Sequence, residues 1–153
     1  MIISFFGHSE FYEGSHYQEK LLNLLEEIAQ GEQITFYLGA YGNFDGFALR
    51  CAKEYKKSHP DAKICVITPY LGKWLDDRRE YFEENYDEII YPDIEEAPLK
   101  FAISKRNTWM VKNADYVIAF VRTHYGGAYQ ALLHAHHQKK PYTNLYEGNY
   151  ELY

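Results

Sequence analysis

The chain has 153 residues, 46% hydrophobic and 25% charged, with a net charge of −6, which describes an ordinary soluble protein with one core and too little length for two comfortable domains. Lysine and arginine number 9 against 19 acidic residues over positions 1–97 and 7 against 3 over 98–153, so the last third is basic, yet no long basic stripe exists to neutralise duplex DNA. No apolar run approaches membrane-spanning length and the opening MIISFFGHSEF has no basic leader region, which predicts a cytoplasmic protein with no membrane partner.

In chain order, MIISFF, ITFYLG, KICVITPY, DEIIYP, DYVIAFV and PYTNLY read as strands, most of them apolar on consecutive residues as buried parallel strands are. Between the first two, Leu21, Leu22, Leu24, Leu25 and Ile28 recur on one helical face. Further helices are predicted over 44–57, 73–86, 99–113 and 127–138. Alternation of strand and helix implies right-handed crossovers. The predicted fold is a single α/β domain over 1–153, a Rossmann-like doubly wound, mostly parallel sheet of about six strands with helices on both faces. Cys51 and Cys65 sit in apolar surroundings with no metal-binding spacing, which predicts buried free thiols. The 16 tyrosines and 9 phenylalanines predict a packed core together with stacking surfaces or a self-association face, hence a homo-oligomer.

In such sheets a ligand sits beyond the carboxyl ends of the strands, where the strand order reverses. Two strand exits carry glycine turns that lead into helices, Gly39 and Gly42 in YLGAYGNFDG and Gly126 and Gly127 in THYGGAYQ. Glycine permits unusual backbone angles and close approach, and the following helix offers free N–H groups and a positive dipole end. Asn43 or Asp45 is placed to cap the first of these helices. The negative Asp45 argues against a phosphate resting on that helix end, unless it binds a ribose hydroxyl or only caps. The turns match neither the dinucleotide fingerprint nor the phosphate loop in spacing. Tyr37, Tyr41, Phe44 and Tyr125 flank them. Tyr41 and Tyr125 are the favoured stacking pair, because Tyr37 falls within a strand. His8, which follows the first strand, and Arg122, which follows the fifth with Thr123 beside it, lie where a ligand would sit. Asp115 is read as a local turn or cap. In HAHHQKK, His134 and His137 share a face with Gln130, but no carboxylate accompanies them, so neither a metal nor a cofactor is predicted.

The order of GH, YLGAYGNFD, KRNTWM, ADYVIAFV, YGGAYQALLHA and KP along the chain resembles the SLOG superfamily, which groups the LONELY GUY phosphoribohydrolases, a DNA-processing family and several uncharacterised bacterial families. The chain is most similar to the uncharacterised ones. In the phosphoribohydrolases a glycine turn after the second strand holds a phosphate, and an R-K-x-x-M and a P-G-G-x-G-T-x-x-E motif complete the site. The resemblance places Arg106, Asn107 and Met110 on the first motif, and Gly126, Gly127 and Gln130 on the last glycine, the threonine and the glutamate of the second. The proline has no counterpart.

Gln130 bears on catalysis, since cleavage of an N-glycoside needs a carboxylate to stabilise positive charge or activate water, and glutamine supplies neither. The sequence therefore predicts a domain that binds a nucleotide or nucleotide-derived small molecule without established catalysis. Its predicted contacts run through His8, Gly39 to Asp45, Arg106, Asn107, Arg122, Thr123, Tyr125 and Gly126 to Gln130. The alternative is a phosphoribohydrolase-like enzyme in which another carboxylate such as Asp45 acts. Binding of single-stranded nucleic acid ranks last on the net negative charge.

Overall fold

The short apolar runs form strands, and the period-3.6 segments form helices, in a computed structural model that describes residues Met1–Tyr153. The strands are β1 (Ile2–Gly7), β2 (Thr35–Leu38), β3 (Lys63–Ile67), β4 (Glu88–Ile90), β5 (Tyr116–Phe120) and β6 (Tyr142–Asn144). The helices are α1 (Gly14–Ala29), α2 (Gly42–Ser58), α3 (Lys73–Asn85), α4 (Ala102–Lys112) and α5 (Gly127–His137). β3 stops short of its predicted run because Thr68 is followed by Pro69, which has no N–H to give a ladder. α4 starts later than predicted, after a 3-10 turn over Leu99–Phe101. There Leu99 is 77% and Phe101 47% exposed.

All five strand pairings are parallel, in the order β4-β3-β2-β1-β5-β6, so the mostly parallel sheet expected from sequence is parallel throughout. The chain steps outward from β1 to β4, then returns to the other side of β1 for β5 and β6, which puts the reversal of strand order between β1 and β5. Each crossover carries a helix, and alternate strand residues feed the two faces. Phe5, Phe36, Leu38, Val66, Ile118 and Phe120 pack with α1, α2 and α3 in one core. Phe6, Tyr37, Cys65, Ile67, Val117 and Ala119 pack with α4 and α5 in the other. Full burial of a side chain of this size stabilises by roughly 1.5–3 kcal/mol.

Two anchors place the segments that form the site. Phe11, in the loop after β1, sits 4.8 Å from the ring of Phe120, 5.3 Å from Phe44 and 5.0 Å from Phe47, and this aromatic knot fixes where residues 8–10 emerge. Asp115 accepts the N–H of Ile2 at 2.8 Å. It ties the start of β5 to β1 across the chain, where the sequence suggested only a local turn. Both cysteines are buried and free, and burial pushes each thiol up to about 12.

Candidate functional site

The exits of β1, β2 and β5 meet beside α4 and enclose a cleft of about 450 Å3 at the reversal point. Gly39 of the first glycine corner and Gly126 and Gly127 of the second therefore line the same cleft. From the β2 corner come Gly39, Tyr41 and Asp45, from α4 come Arg106 and Asn107, and from the β5 corner come Arg122, Thr123, Tyr125, Gly126 and Gly127, with His8 at the exit of β1.

Arg106 organises this cleft. It lies on α4 in the stripe Ile103, Arg106, Asn107, Met110, all of which line the cleft, at the spacing i, i+3, i+4, i+7 that keeps side chains on one helical face. Its side chain is only 3% exposed. Nη1 donates to the carbonyls of Gly39 at 3.1 Å and Ile67 at 2.7 Å, and Nε donates to Asn107 Oδ1 at 2.8 Å. Nη2 has no protein acceptor and is left for the cleft. Burial lowers the guanidinium pKa, and the charge of Asp45 partly offsets this. Gly39 suits this packing, since a Cβ there would stand 3.1 Å from the guanidinium carbon and push the side chain by a few tenths of an ångström.

The β5 corner supplies donors. Gly126 has φ +93° and ψ 171°, a combination essentially confined to glycine. It turns the chain so that α5 starts at the cleft. The first helical N–H to find an acceptor is that of Gln130, which donates to the Gly126 carbonyl at 3.0 Å, while those of Gly127, Ala128 and Tyr129 have none in the protein. Asn107, its Oδ1 taken by Arg106, directs Nδ2 toward this end; that nitrogen lies 3.9 Å from where a Cβ on Gly127 would be. Thr123 holds the corner by donating from Oγ1 to the Tyr125 carbonyl at 2.9 Å, and the Tyr150 hydroxyl donates to the Thr123 carbonyl at 2.7 Å.

The β2 corner is closed by the protein itself. Gly42 has φ +85°, and a Cβ there would come 2.5 Å from Cα of Ser9, while the N–H of Asn43 donates to the Ser9 carbonyl at 2.9 Å. Gly42 and Asn43 thus fasten α2 to the β1 exit, and they face a separate hollow between α1 and α2. Neither Asn43 nor Asp45 is the N-cap, a place taken by Tyr41 without a side-chain cap; Asp45 lies in the first turn and accepts the Tyr41 N–H on Oδ2 at 2.8 Å. It is 8% exposed. Burial raises its pKa from 3.8 to about 6, against the pull of the Tyr41 N–H and Arg106.

A folded-state pKa above the unfolded one means that the stabilising contribution of Asp45 is present in acid, below about pH 4, and is lost as pH rises through about 6. Asp45→Asn removes the buried charge, so it is expected to stabilise the protein by about 1–3 kcal/mol at pH 8 and by about half as much at pH 5. Melting curves at the two pH values check this.

His8 is a brace. Its Nε2 accepts the N–H of Arg122 at 2.9 Å and its ring meets Phe120 edge-on at 6.1 Å, while burial, helped by Arg122, lowers its pKa. The ring is therefore neutral at pH 7 with its proton on Nδ1. Arg122 lies over Phe120 at 5.7 Å and reaches the Glu10 carbonyl at 3.4 Å. Tyr41 and Tyr125 stand on the rim, 65% and 74% exposed, whereas Phe44 is fully buried and Tyr37 stacks on Trp109 at 5.6 Å. Gln130 is exposed on α5 outside the cleft. The cleft also takes in Ser9 and Glu10, which the sequence did not mark, and Ala128, which lies within the expected Gly126 to Gln130 stretch. The length of the loop after β1 was the available signal for the first two.

An all-parallel sheet with a donor-lined cleft at its reversal point defines a Rossmann-like domain. DNA processing protein A from Streptococcus pneumoniae matches it with a TM-score of 0.65 at 17% identity, over 92% of this chain and 48% of that one. The chain thus spans about half the length of that protein. DNA processing protein A from Helicobacter pylori, which has a unique single-stranded DNA binding mode, matches at 0.63 and 15% identity over 93% and 63%. The structural-genomics target TM1055 matches at 0.57 and 15% identity over 92% and 71%. These likenesses bear out the fold expected from the sequence fragments. In sequence the chain is 28% identical to the uncharacterized SPbeta prophage-derived protein YoqJ of Bacillus subtilis, over 67% of this chain and 70% of that protein. No family model matches. The low ranking of nucleic acid sits uneasily with a single-strand-binding neighbour. No helix is long and apolar enough to cross a membrane.

Proposed function

We propose that this is a cytoplasmic domain that binds a nucleotide or nucleotide-derived ligand through its phosphate. The reading rests on one observation: the unclaimed N–H groups at the start of α5 share a cleft with the free Nη2 of a buried arginine and the amide of Asn107. Helix N-termini and guanidinium groups both favour phosphate, and charge-assisted hydrogen bonds are stronger in a site withdrawn from water. Tyr41 and Tyr125 are then available to stack on a base. Thermal-shift screening of nucleoside mono- and diphosphates, cyclic nucleotides and ADP-ribose derivatives is expected to raise the melting temperature with at least one compound. Failure of every one removes the reading.

Release of free base is not expected, because Gln130 is neutral and stands outside the cleft. Two acidic residues, Glu10 and Asp45, are among those that line it, so free base appearing from a nucleoside monophosphate would restore the phosphoribohydrolase-like alternative. Single-strand binding is the second reading, favoured by the Helicobacter pylori neighbour and by the two exposed tyrosines. A gel-shift titration of a single-stranded oligonucleotide at rising salt separates it from mononucleotide binding. The reading includes a homo-oligomer, with the exposed Leu99 and Phe101 offered to a second copy. Light scattering is expected to give at least twice the 18.1 kDa chain mass, and a monomer mass removes that part.

A further inference from the structure

Asp45 is left over by the phosphate reading. Its side chain is more than nine-tenths buried, and Oδ2 is satisfied by the Tyr41 N–H. Oδ1 has no donor in the protein, although no buried side-chain oxygen is left unsatisfied, so this atom reaches the cleft that Asp45 lines. A carboxylate oxygen in such a place calls for a hydrogen-bond donor.

Three candidate occupants can be ranked by charge and position. An anion is repelled by the carboxylate. A second cation would lie close to Arg106, whose charge already acts on Asp45, and two desolvated positive groups disfavour one another. A neutral hydroxyl suffers neither penalty. Position agrees: Asp45 is held to Tyr41, the exposed rim aromatic, on one side and interacts with Arg106, the phosphate-facing donor, on the other. In any nucleotide the group between phosphate and base is the sugar.

We infer that Asp45 accepts a hydrogen bond from a ribose hydroxyl, and that the cleft selects ligands carrying a sugar diol beside their phosphate. This rests on the nucleotide reading above and adds ribonucleotides, as opposed to their deoxy counterparts, as the ligand class. Asp45 is then a specificity residue.

The test is calorimetric titration at pH 8 with the ribo, 2′-deoxy and 2′,3′-dideoxy forms of one nucleoside 5′-monophosphate, and with inorganic phosphate. The wild-type protein is expected to bind the ribo form about 10- to 100-fold more tightly than the dideoxy form, the range for one hydrogen bond to a charged acceptor. The 2′-deoxy form shows which hydroxyl matters. In Asp45→Ala, which leaves no group to bond the hydroxyl, the preference is expected to collapse to within about threefold, with inorganic phosphate bound no more weakly. Equal binding of ribo and dideoxy forms by the wild-type protein overturns the inference and leaves the nucleotide reading standing. A preference that survives in Asp45→Ala overturns the role of Asp45. Binding of none of the nucleotides overturns both.

Discussion

Replacing Arg106 with alanine is expected to lower the melting temperature by about 10 °C and to abolish ligand binding. The side chain is 3% exposed and its hydrogen bonds hold the Gly39 and Ile67 carbonyls, at the ends of β2 and β3, and the Asn107 amide. Truncation leaves those acceptors without their donor and opens a void. Loss of a buried charged partner of this kind costs about 3–5 kcal/mol, and for a chain of this size each kcal/mol is worth roughly 2–4 °C. Arg106→Lys keeps the charge but cannot reach three acceptors as a planar fork, so it is expected to recover part of the stability and little of the binding. Melting curves with parallel titrations check both. A variant that melts like the wild type and still binds would remove Arg106 from the centre of the account.

Gly42→Ala is the second large effect, and it acts through structure. The added carbon would sit 2.5 Å from the Cα of Ser9, which is main chain and cannot rotate aside, at a residue whose φ is +85°. Overpacking costs roughly 1–3 kcal/mol and the disfavoured backbone angle a similar amount, so about 3 kcal/mol or more is expected. Gly126→Ala is the control. Its φ is +93°, but nothing lies within 4 Å of the added carbon, so only the backbone share of about 1–3 kcal/mol is expected. Urea unfolding of the two variants side by side tests the distinction, and equal losses would contradict it.

These two positions also show what was legible in the sequence. The strands were plain because buried parallel strands are apolar on successive residues, and their exits located the cleft once the order placed β5 beside β1. Glycine turns signal unusual backbone without naming what approaches it. At Gly39 the approaching group is a guanidinium 67 residues away, and at Gly42 it is the main chain of Ser9. A turn that reads as a phosphate cradle therefore serves in part as a seam between two loops.

Arg106 was found through a motif, although its spacing within an apolar helical stripe already marked it as facing inward. The matching of Gln130 to a catalytic glutamate followed motif position alone. Helical phase gives a different view: Ala131, Leu132 and Ala135 are buried against the sheet, which leaves Gln130 exposed and outside the cleft. Phe44 and Tyr37, counted beside the glycines as aromatics, belong to the two cores for the same reason of phase.

The central claim is that the opening amides of α5 hold a phosphate, and Gly127→Pro tests it most directly. Proline is tolerated at the first position of a helix, where its missing N–H has no intrahelical partner, and a Cβ on Gly127 meets nothing nearer than Asn107 Nδ2 at 3.9 Å. The variant is expected to keep the wild-type melting temperature and to lose at least tenfold in affinity when both proteins are titrated by calorimetry with the same nucleoside 5′-monophosphate. Equal affinity in the two proteins would contradict it.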